Sequence, residues 1–281
     1  MSYIKPMLAH KFAPHKVKYP CFVQPKLNGV RGIYLTGRYF QSRYGEIWKP
    51  EVVSHAFMSL TGLKFHLDGE FYKHGMSLQN INSRIGVVRN KPHEESHLIR
   101  YCIFDVMVDA PFHRRLLVLN ELAKRYKDHP HITVVKTREV ASEIEADHYY
   151  KQWKHNEGFE GMMYRDSNAP YGFASRCGNK ENRWNCLLKR KEMVDLDATI
   201  MDLQQMKDQD GNLKDTLGAF VLKAPNGAMF TAGSGLTNAQ RDAYWKAGDA
   251  MIGVRVKINY EMLSDGGVPL KPIVECVDYE A

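Results

Sequence analysis

Short apolar runs of β-type composition recur along the first two thirds of the chain, at Cys21–Gln24, Val30–Leu35, Phe65–Leu67, Tyr101–Val108, Ile132–Val135, Met162–Tyr164 and Cys186–Lys189. Their length and polar or turn-forming flanks predict strands. Helical spacings lie between them. Leu78, Ile81, Ile85 and Val88 repeat at helical intervals, as do Leu116, Leu119, Ala123 and Tyr126, each set lining one face of a helix. Ser142–Asn156 predicts a third helix, with Gly158 as its stop.

Beyond Lys191 the pattern changes. Ala198–Leu203, Ala219–Ala224, Met229–Ala232, Val254–Met262 and Ile273–Tyr279 read as strands, separated by turn signals such as Asp210-Gly211, Asn226-Gly227 and Asp265-Gly266-Gly267. One helix, from Asn238 to Lys246 with Thr237 as N-cap, interrupts them. Several short strands and one helix in so short a stretch predict a small Greek-key β-barrel of the OB type. The boundary falls near Met193–Asp195. The expectation is an α+β domain over residues 1–193, with antiparallel sheets flanked by helices, and an OB-fold domain over 194–281.

The length of 281 residues agrees with two domains. No apolar run approaches the roughly 18–20 residues of a membrane helix, and the start lacks the apolar core of a secretory signal, so a cytoplasmic protein with no membrane partner is expected. Five cysteines, none in C-x-x-C spacing, argue against zinc knuckles and redox dithiols and for reduced thiols. The 39 Lys and Arg against 32 Asp and Glu leave a net charge of +7. Its placement says more than its size. Arg176, Lys180, Arg183, Lys189, Arg190 and Lys191 crowd one stretch against a single acid, Glu181, as a polyanion-binding surface would.

Six short motifs carry candidate chemistry: Lys26-Leu27-Asn28-Gly29-Val30-Arg31, Ser42-Arg43-Tyr44-Gly45, Asp68-Gly69-Glu70-Phe71, Cys102-Ile103-Phe104-Asp105, Glu160-Gly161-Met162-Met163 and Leu187-Leu188-Lys189-Arg190-Lys191. Each alone is weak, since most lysines are solvated charges and a phenylalanine in an apolar run is as often a core residue. Their order is the signal. In that order they resemble the covalent nucleotidyltransferase superfamily and, within it, the small two-domain ATP-dependent DNA ligases of viral and bacterial type. The resemblance runs from Lys5 to the C-terminus and includes Gly253–Lys257, Tyr260-Glu261, Gly267 and Pro269 in the barrel.

The resemblance implies a nucleotidyltransferase (ATP-grasp-like) first domain and a ligase that seals nicks in duplex DNA, between a 3′-hydroxyl and a 5′-phosphate, by way of lysine–AMP and DNA-adenylate. Repair, replication and recombination are the settings it implies. Lys26 would be the catalytic nucleophile. Gln24, Lys26, Arg31, Arg43, Glu70, Phe104, Lys189 and Lys191 would bind ATP or AMP, with Phe104 stacking on the base. Glu160 and Glu70 would hold Mg2+ or Mn2+. Arg176, Lys180, Arg183 and Arg190 would grip nicked double-stranded DNA, and Lys271 would orient pyrophosphate. A monomer acting on ATP is expected.

The chemistry accounts for these residue types. A lysine amine attacks phosphorus only when unprotonated, so its pKa must fall from about 10.4, and cations such as Lys189 and Lys191 beside it act in that direction. Charge developing on the phosphoryl oxygens calls for fixed cations and a metal held by carboxylates. Two departures stand out. Asn28 takes the place of the family's Asp, which removes a negative charge beside Lys26. Val268-Pro269-Leu270-Lys271-Pro272 replaces the family's Arg before Phe-Pro, so only Lys271, shifted by one place, offers the charge.

Other readings remain open. An RNA ligase or an mRNA guanylyltransferase shares the superfamily core, although Arg31, the Asp-Gly-Glu-Phe run and the appended barrel look more like DNA ligases. The 25 residues before Lys26 and the absence of a cysteine cluster point to ATP rather than NAD as donor. His93-Glu94-Glu95-Ser96-His97 matches the H-E-x-x-H of zinc metalloproteases, but Pro92 and the strand-like run after it leave little more than one helical turn, so a solvated loop is expected. A non-catalytic nucleic-acid-binding protein would leave Lys26 and Glu160 without a task.

Overall fold

The computed structural model describes residues 4–173 and 182–278 of the chain. Contacts divide the chain into two units, Met1–Lys191 and Glu192–Ala281. In chain order the first contains β1 (Leu8–Lys11), β2 (Cys21–Lys26), β3 (Val30–Leu35), β4 (Tyr39–Ser42), α1 (Ser54–Ser59), β5 (Leu67–Tyr72), α2 (Leu78–Ile85), β6 (Arg100–Val106), α3 (Phe112–Arg125), β7 (Ile132–Val134), β8 (Arg138–Val140), α4 (Glu143–Lys151), β9 (Gly161–Asp166) and β10 (Arg183–Lys191).

Two five-stranded sheets result, one in the order β1-β10-β9-β2-β8 and the other β4-β3-β5-β6-β7. Pairing is antiparallel except at β1–β10 and β6–β7, where edge strands run parallel. Along β2, Cys21 and Val23 join Met162, Tyr164 and Leu188 in one core cluster, closed by Ala146 and Tyr150 of α4 and by Trp153. Side chains alternate across a strand, so Gln24 and Lys26 share the opposite face with Phe22. That face looks toward the second sheet, where Leu187 meets Ile33 and Leu35.

The helices follow the expected stripes with informative exceptions. In α2, Ile81 and Ile85 are fully buried, whereas Val88 lies beyond the helix end at Gly86 and is exposed. Ser142 caps α4 by accepting the Glu145 N–H, and the chain continues through a π-type turn at Gln152–Asn156 that buries Trp153. The buried side of α3 is Phe112, Arg115, Leu119 and Leu122, and Ala123 is exposed. Arg115 reads as polar in the sequence. It belongs to the core because both Asp105 carboxylate oxygens accept from its guanidinium, at 2.7 and 3.0 Å.

The second unit contains β11 (Val194–Lys207), β12 (Leu213–Lys223), β13 (Met229–Ala232), α5 (Asn238–Ala247), β14 (Arg255–Tyr260), β15 (Met262–Leu263), β16 (Pro269–Leu270) and β17 (Ile273–Val277). Its core is built from Ile200, Leu217, Phe220, Leu222, Val256 and Ile258, among others. Thr237 and Gln240 form a reciprocal capping box at the start of α5, which satisfies N–H groups the helix leaves unpaired. These strands are those of the expected OB-type unit, in an open arrangement. Among the described residues the sheet order β13-β12-β11-β14-β17 does not close by a ladder, and β15-β16 stands apart as a hairpin. The chain leaves β13 at Gly233, so the two edges meet only at one parallel bridge, Ser234 to Ile273. Val254–Met262 is correspondingly split, with a break at Glu261 between β14 and β15.

His93–His97 forms a turn followed by a short 3-10 turn, not a helix. The His93 Nδ1 accepts the Glu95 N–H, the His97 ring contacts the Glu94 carbonyl, and Glu95 pairs with Arg84. Without a helix, the two histidines are not set on one helical face as the H-E-x-x-H pattern requires.

Histidines gather at one edge of the second sheet. The His55 ring lies 5.1 Å from that of His131, and its Nε2 is 2.9 Å from the Ile99 carbonyl. Burial, with His131 and His97 nearby, holds the His55 pKa below its ordinary value. The folded state therefore keeps His55 neutral where the unfolded chain takes up a proton, and stability is lost as pH falls below about 6.5. In urea titrations at about pH 7.5 and about pH 5.5, His55→Gln is expected to lose less stability across that interval than the wild type. An equal loss in both proteins contradicts this.

Candidate active site

Three neighbouring strands bring the central cluster together. Lys26 is the last residue of β2, Gly161 the first of β9 and Lys191 the last of β10, and Gly161 is the register partner of both lysines. Glu160, one residue before β9, donates its backbone N–H to the Lys26 carbonyl at 3.1 Å. Its carboxylate ion-pairs with the Lys26 amine through Oε2 and lies 3.7 Å from the Lys191 amine through Oε1. Gly161 must be glycine here, because an added Cβ would lie 2.1 Å from the Arg190 carbonyl oxygen. The carboxylate is thus placed between two lysines by the ladder itself.

The second sheet supplies the facing wall. Glu70 on β5 accepts the Gly29 N–H at 2.7 Å. Gly29 approaches so closely that a Cβ there would meet the Phe71 carbonyl oxygen at 2.2 Å. Burial pushes the Glu70 carboxyl up to about 7, with Glu160 adding to the rise and Lys26, the Gly29 N–H and Arg31 opposing it. Asn28 lies in the same connection between β2 and β3. Leu27 and Pro25, which flank Lys26, line an apolar cavity of about 310 Å³ together with Tyr72, Cys102, Trp153 and Phe159.

Arg31 is the register partner of Glu70. Its guanidinium is held by Asp68, with Nε to Oδ1 at 2.9 Å, and it donates to the Met7 carbonyl at 2.8 Å. Asp68 also accepts from the Tyr171 hydroxyl at 2.6 Å. Asp68 is therefore a buried partner of Arg31. The Phe104 ring is half-buried with the Arg31 and Arg165 guanidiniums 5.3 and 5.6 Å from its centre, and it is not among the residues lining the 310 Å³ cavity. Gln24 is buried behind it, and Lys189 faces Met163 in the register.

The other sequence candidates have the following local surroundings. Arg43 sits in the turn after β4, its guanidinium 5.6 Å from the Tyr44 ring. Arg190 pairs with Asp147 and lies 4.0 Å over Tyr150 and 5.0 Å over Phe12, which ties it to α4 and the β1 end. Arg183 lines a second cavity, of about 640 Å³, with Lys16 and Lys18 beside the start of β2. Arg176 and Lys180 lie outside the described residues. In the second unit, Lys271 has φ of 52° and reaches Glu261 at 3.0 Å. Sequence reasoning missed the roles of Arg115 and Arg165. Both converge on Asp105 from positions 10 and 60 residues away, and no local spacing reports such a meeting.

Comparisons with known proteins place this geometry in context. Residues 6–184 match the family model for the ATP dependent DNA ligase domain, and residues 210–277 match that for the DNA ligase OB-like domain. A DNA ligase of African swine fever virus is 28% identical over 273 residues, covering 89% of this chain and 61% of the viral protein. The chain thus spans about three fifths of the length of the curated relatives it matches. Among solved structures, one from a study of Lig E DNA ligases as minimal DNA-binding scaffolds aligns with a TM-score of 0.77 at 21% identity, covering 99% of both chains. The Chlorella virus DNA ligase-adenylate aligns at 0.52 and 24% identity over 100% of each chain, and the bacteriophage T7 ligase with ATP at 0.51 and 16%, over 97% of this chain and 98% of that one. These likenesses show a shared fold. With the ligase-domain model matching well over half of the residues, the chain belongs to the ATP-dependent DNA ligase domain family.

Proposed function

We propose that this protein seals nicks in duplex DNA with ATP, in three in-line displacements at phosphorus. In the first, the Lys26 Nζ lone pair attacks the α-phosphorus, an N–P bond forms, the bond to pyrophosphate breaks and the amine proton leaves. In the second, an oxygen of the 5′-phosphate attacks the lysine–AMP phosphorus, the N–P bond breaks, and Lys26 takes back a proton and departs as the amine. In the third, the 3′-hydroxyl attacks the 5′-phosphate, loses its proton and expels AMP. One observation carries this reading: Glu160 stands between the amines of Lys26 and Lys191, in a chain whose first unit matches a ligase domain.

The residues' tasks follow from their placement. An ammonium held by a carboxylate is no nucleophile, so Glu160 must be drawn away from Lys26 before attack. Lys191 keeps a positive charge beside the departing groups once that pair opens, where fixed cations are worth most. Glu160 and Glu70 present hard oxygen donors to one space, a set that fits Mg2+ or Mn2+ with water and phosphate oxygens completing the shell. When bound, the metal would offset charge on the phosphoryl oxygens. Phe104 offers a ring face for the base and Arg31 a charge held in place by Asp68. The stretch from Arg176 to Arg190 and the OB-like unit are assigned to the DNA backbone, whose recognition is independent of sequence and sensitive to salt. Lys271 is assigned to the leaving pyrophosphate. No helix among the described residues is long and apolar enough to cross a membrane, and we place the reaction in the cytoplasm, carried out by a monomer.

With α-labelled ATP and magnesium, wild-type protein is expected to acquire label that Lys26→Ala abolishes, a loss of more than about 1000-fold. Label from GTP instead would point to capping chemistry, and sealing of nicked RNA but not nicked DNA to an RNA ligase. Glu160→Ala is expected to slow label transfer by about 100-fold, read in single-turnover assays. Unchanged transfer would remove Glu160 from the reaction.

Glu70 generates a pH prediction. Its folded pKa lies above the ordinary carboxylate value, so ionisation favours the unfolded chain. Stability is lost as pH rises from about 4.5 through about 7. In the nucleotide-free and metal-free protein, Glu70→Gln keeps an acceptor for the Gly29 N–H. It is expected to raise the unfolding midpoint at about pH 8 and leave it unchanged at about pH 4. A lower midpoint at the higher pH contradicts this.

A further inference from the structure

The buried polar cluster behind Phe104 has no part in the steps above. Asp105 is fully buried and binds two guanidiniums, Arg115 and Arg165. Arg115 donates through its NH1 to the carbonyls of Ala110 and Ala169. Arg165 points the other way. Its Nε donates to the Gln24 Oε1 at 2.6 Å and its NH1 to the Asp105 Oδ2 at 2.7 Å, and its Cζ lies 5.6 Å from the centre of the Phe104 ring and 4.9 Å from that of Phe112. Arginine only donates, so it forces the oxygen of the Gln24 amide toward itself. The amide nitrogen must then face away, and it donates to the Phe104 carbonyl at 3.1 Å and to the Thr137 hydroxyl at 2.9 Å. Gln24 lies two residues before Lys26 on the same face of β2.

We propose that Arg165 is a positioning residue for the nucleotide base: held by Asp105, it sets the orientation of the Gln24 amide and supports the Phe104 ring. The inference rests on the ligase reading, because a base platform beside Lys26 has a use only if Lys26 takes up a nucleotide. Through Gln24, Arg165 sets the backbone spacing between β2 and β6, the two strands that carry Lys26 and Phe104. With every N–H of the Gln24 amide engaged inside the protein, the side chain has no donor left for an incoming base. A 6-oxopurine, which needs a donor at that carbonyl, therefore gains nothing from it.

Arg115 provides the control for a merely structural role, since it shares Asp105 but touches neither Gln24 nor Phe104. The assay is Lys26 labelling with varied ATP. Arg165→Lys is expected to raise the KM for ATP about tenfold with kcat within about threefold, whereas Arg115→Lys lowers the unfolding midpoint and leaves KM within about twofold of wild type. Gln24→Met, which leaves the Arg165–Asp105 pair in place, is expected to raise KM as Arg165→Lys does, and the double variant to add less than the sum of the two. This arm decides the matter if Arg165→Lys does not fold. Equal KM values in the Arg165, Gln24 and Arg115 variants and the wild type overturn the inference while leaving the ligase reading intact. A wild-type protein that takes no label overturns both.

Discussion

The site depends on a carboxylate held between two amines by strand register. Lys26, Gly161 and Lys191 occupy one row across β2, β9 and β10, and Glu160 enters that row through a backbone hydrogen bond to Lys26 itself. A one-residue slip of β9 would turn every side chain to the other face. Register is therefore as much a part of the chemistry as the residue types. The core cluster of Cys21, Val23, Met162, Tyr164 and Leu188 on the far side of the same strands holds that register, because those apolar groups can be buried in only one alignment.

The facing sheet sets the electrostatics. Glu70 meets Lys26 and Glu160 from β5, and its carboxyl is pushed up to about 7 by burial. Two carboxylates and two lysines thus share one half-buried space. On the proposed reading, a divalent cation that binds Glu160 draws it off Lys26 and frees the amine to act as the nucleophile. Arg31 is paired with the buried Asp68, whereas Arg165 shares the buried Asp105 with Arg115, and both guanidiniums lie close to the Phe104 ring, at 5.3 and 5.6 Å from its centre.

Much of this was legible in the sequence. The runs at Val30–Leu35 and Met229–Ala232 coincide with strands end to end, and Thr237 caps its helix as expected. The short strands β1, β4 and β8, of three or four residues, and the six-residue helix α1 escaped notice, because such short elements show no period. The stripe on α3 was misplaced where Arg115 interrupts the apolar pattern, and Val88 was assigned to a helix that Gly86 ends. At the site, Lys26, Glu160 and Lys191 could be picked out by motif order, and the structure brings them together. The Asp105 cluster could not, since its charges meet only after folding. Arg190, expected from the sequence to contact DNA, is stacked on Tyr150 and paired with Asp147 in the fold.

The central claim is that the Lys26 amine, released from Glu160, takes up an adenylate covalently. Peptide mapping by mass spectrometry of active protein incubated with ATP and magnesium tests it most directly. The account predicts a single adenylate on the peptide containing Lys26, lost when pyrophosphate is added. An adenylate on any other residue, or none in a preparation that seals nicks, would contradict it.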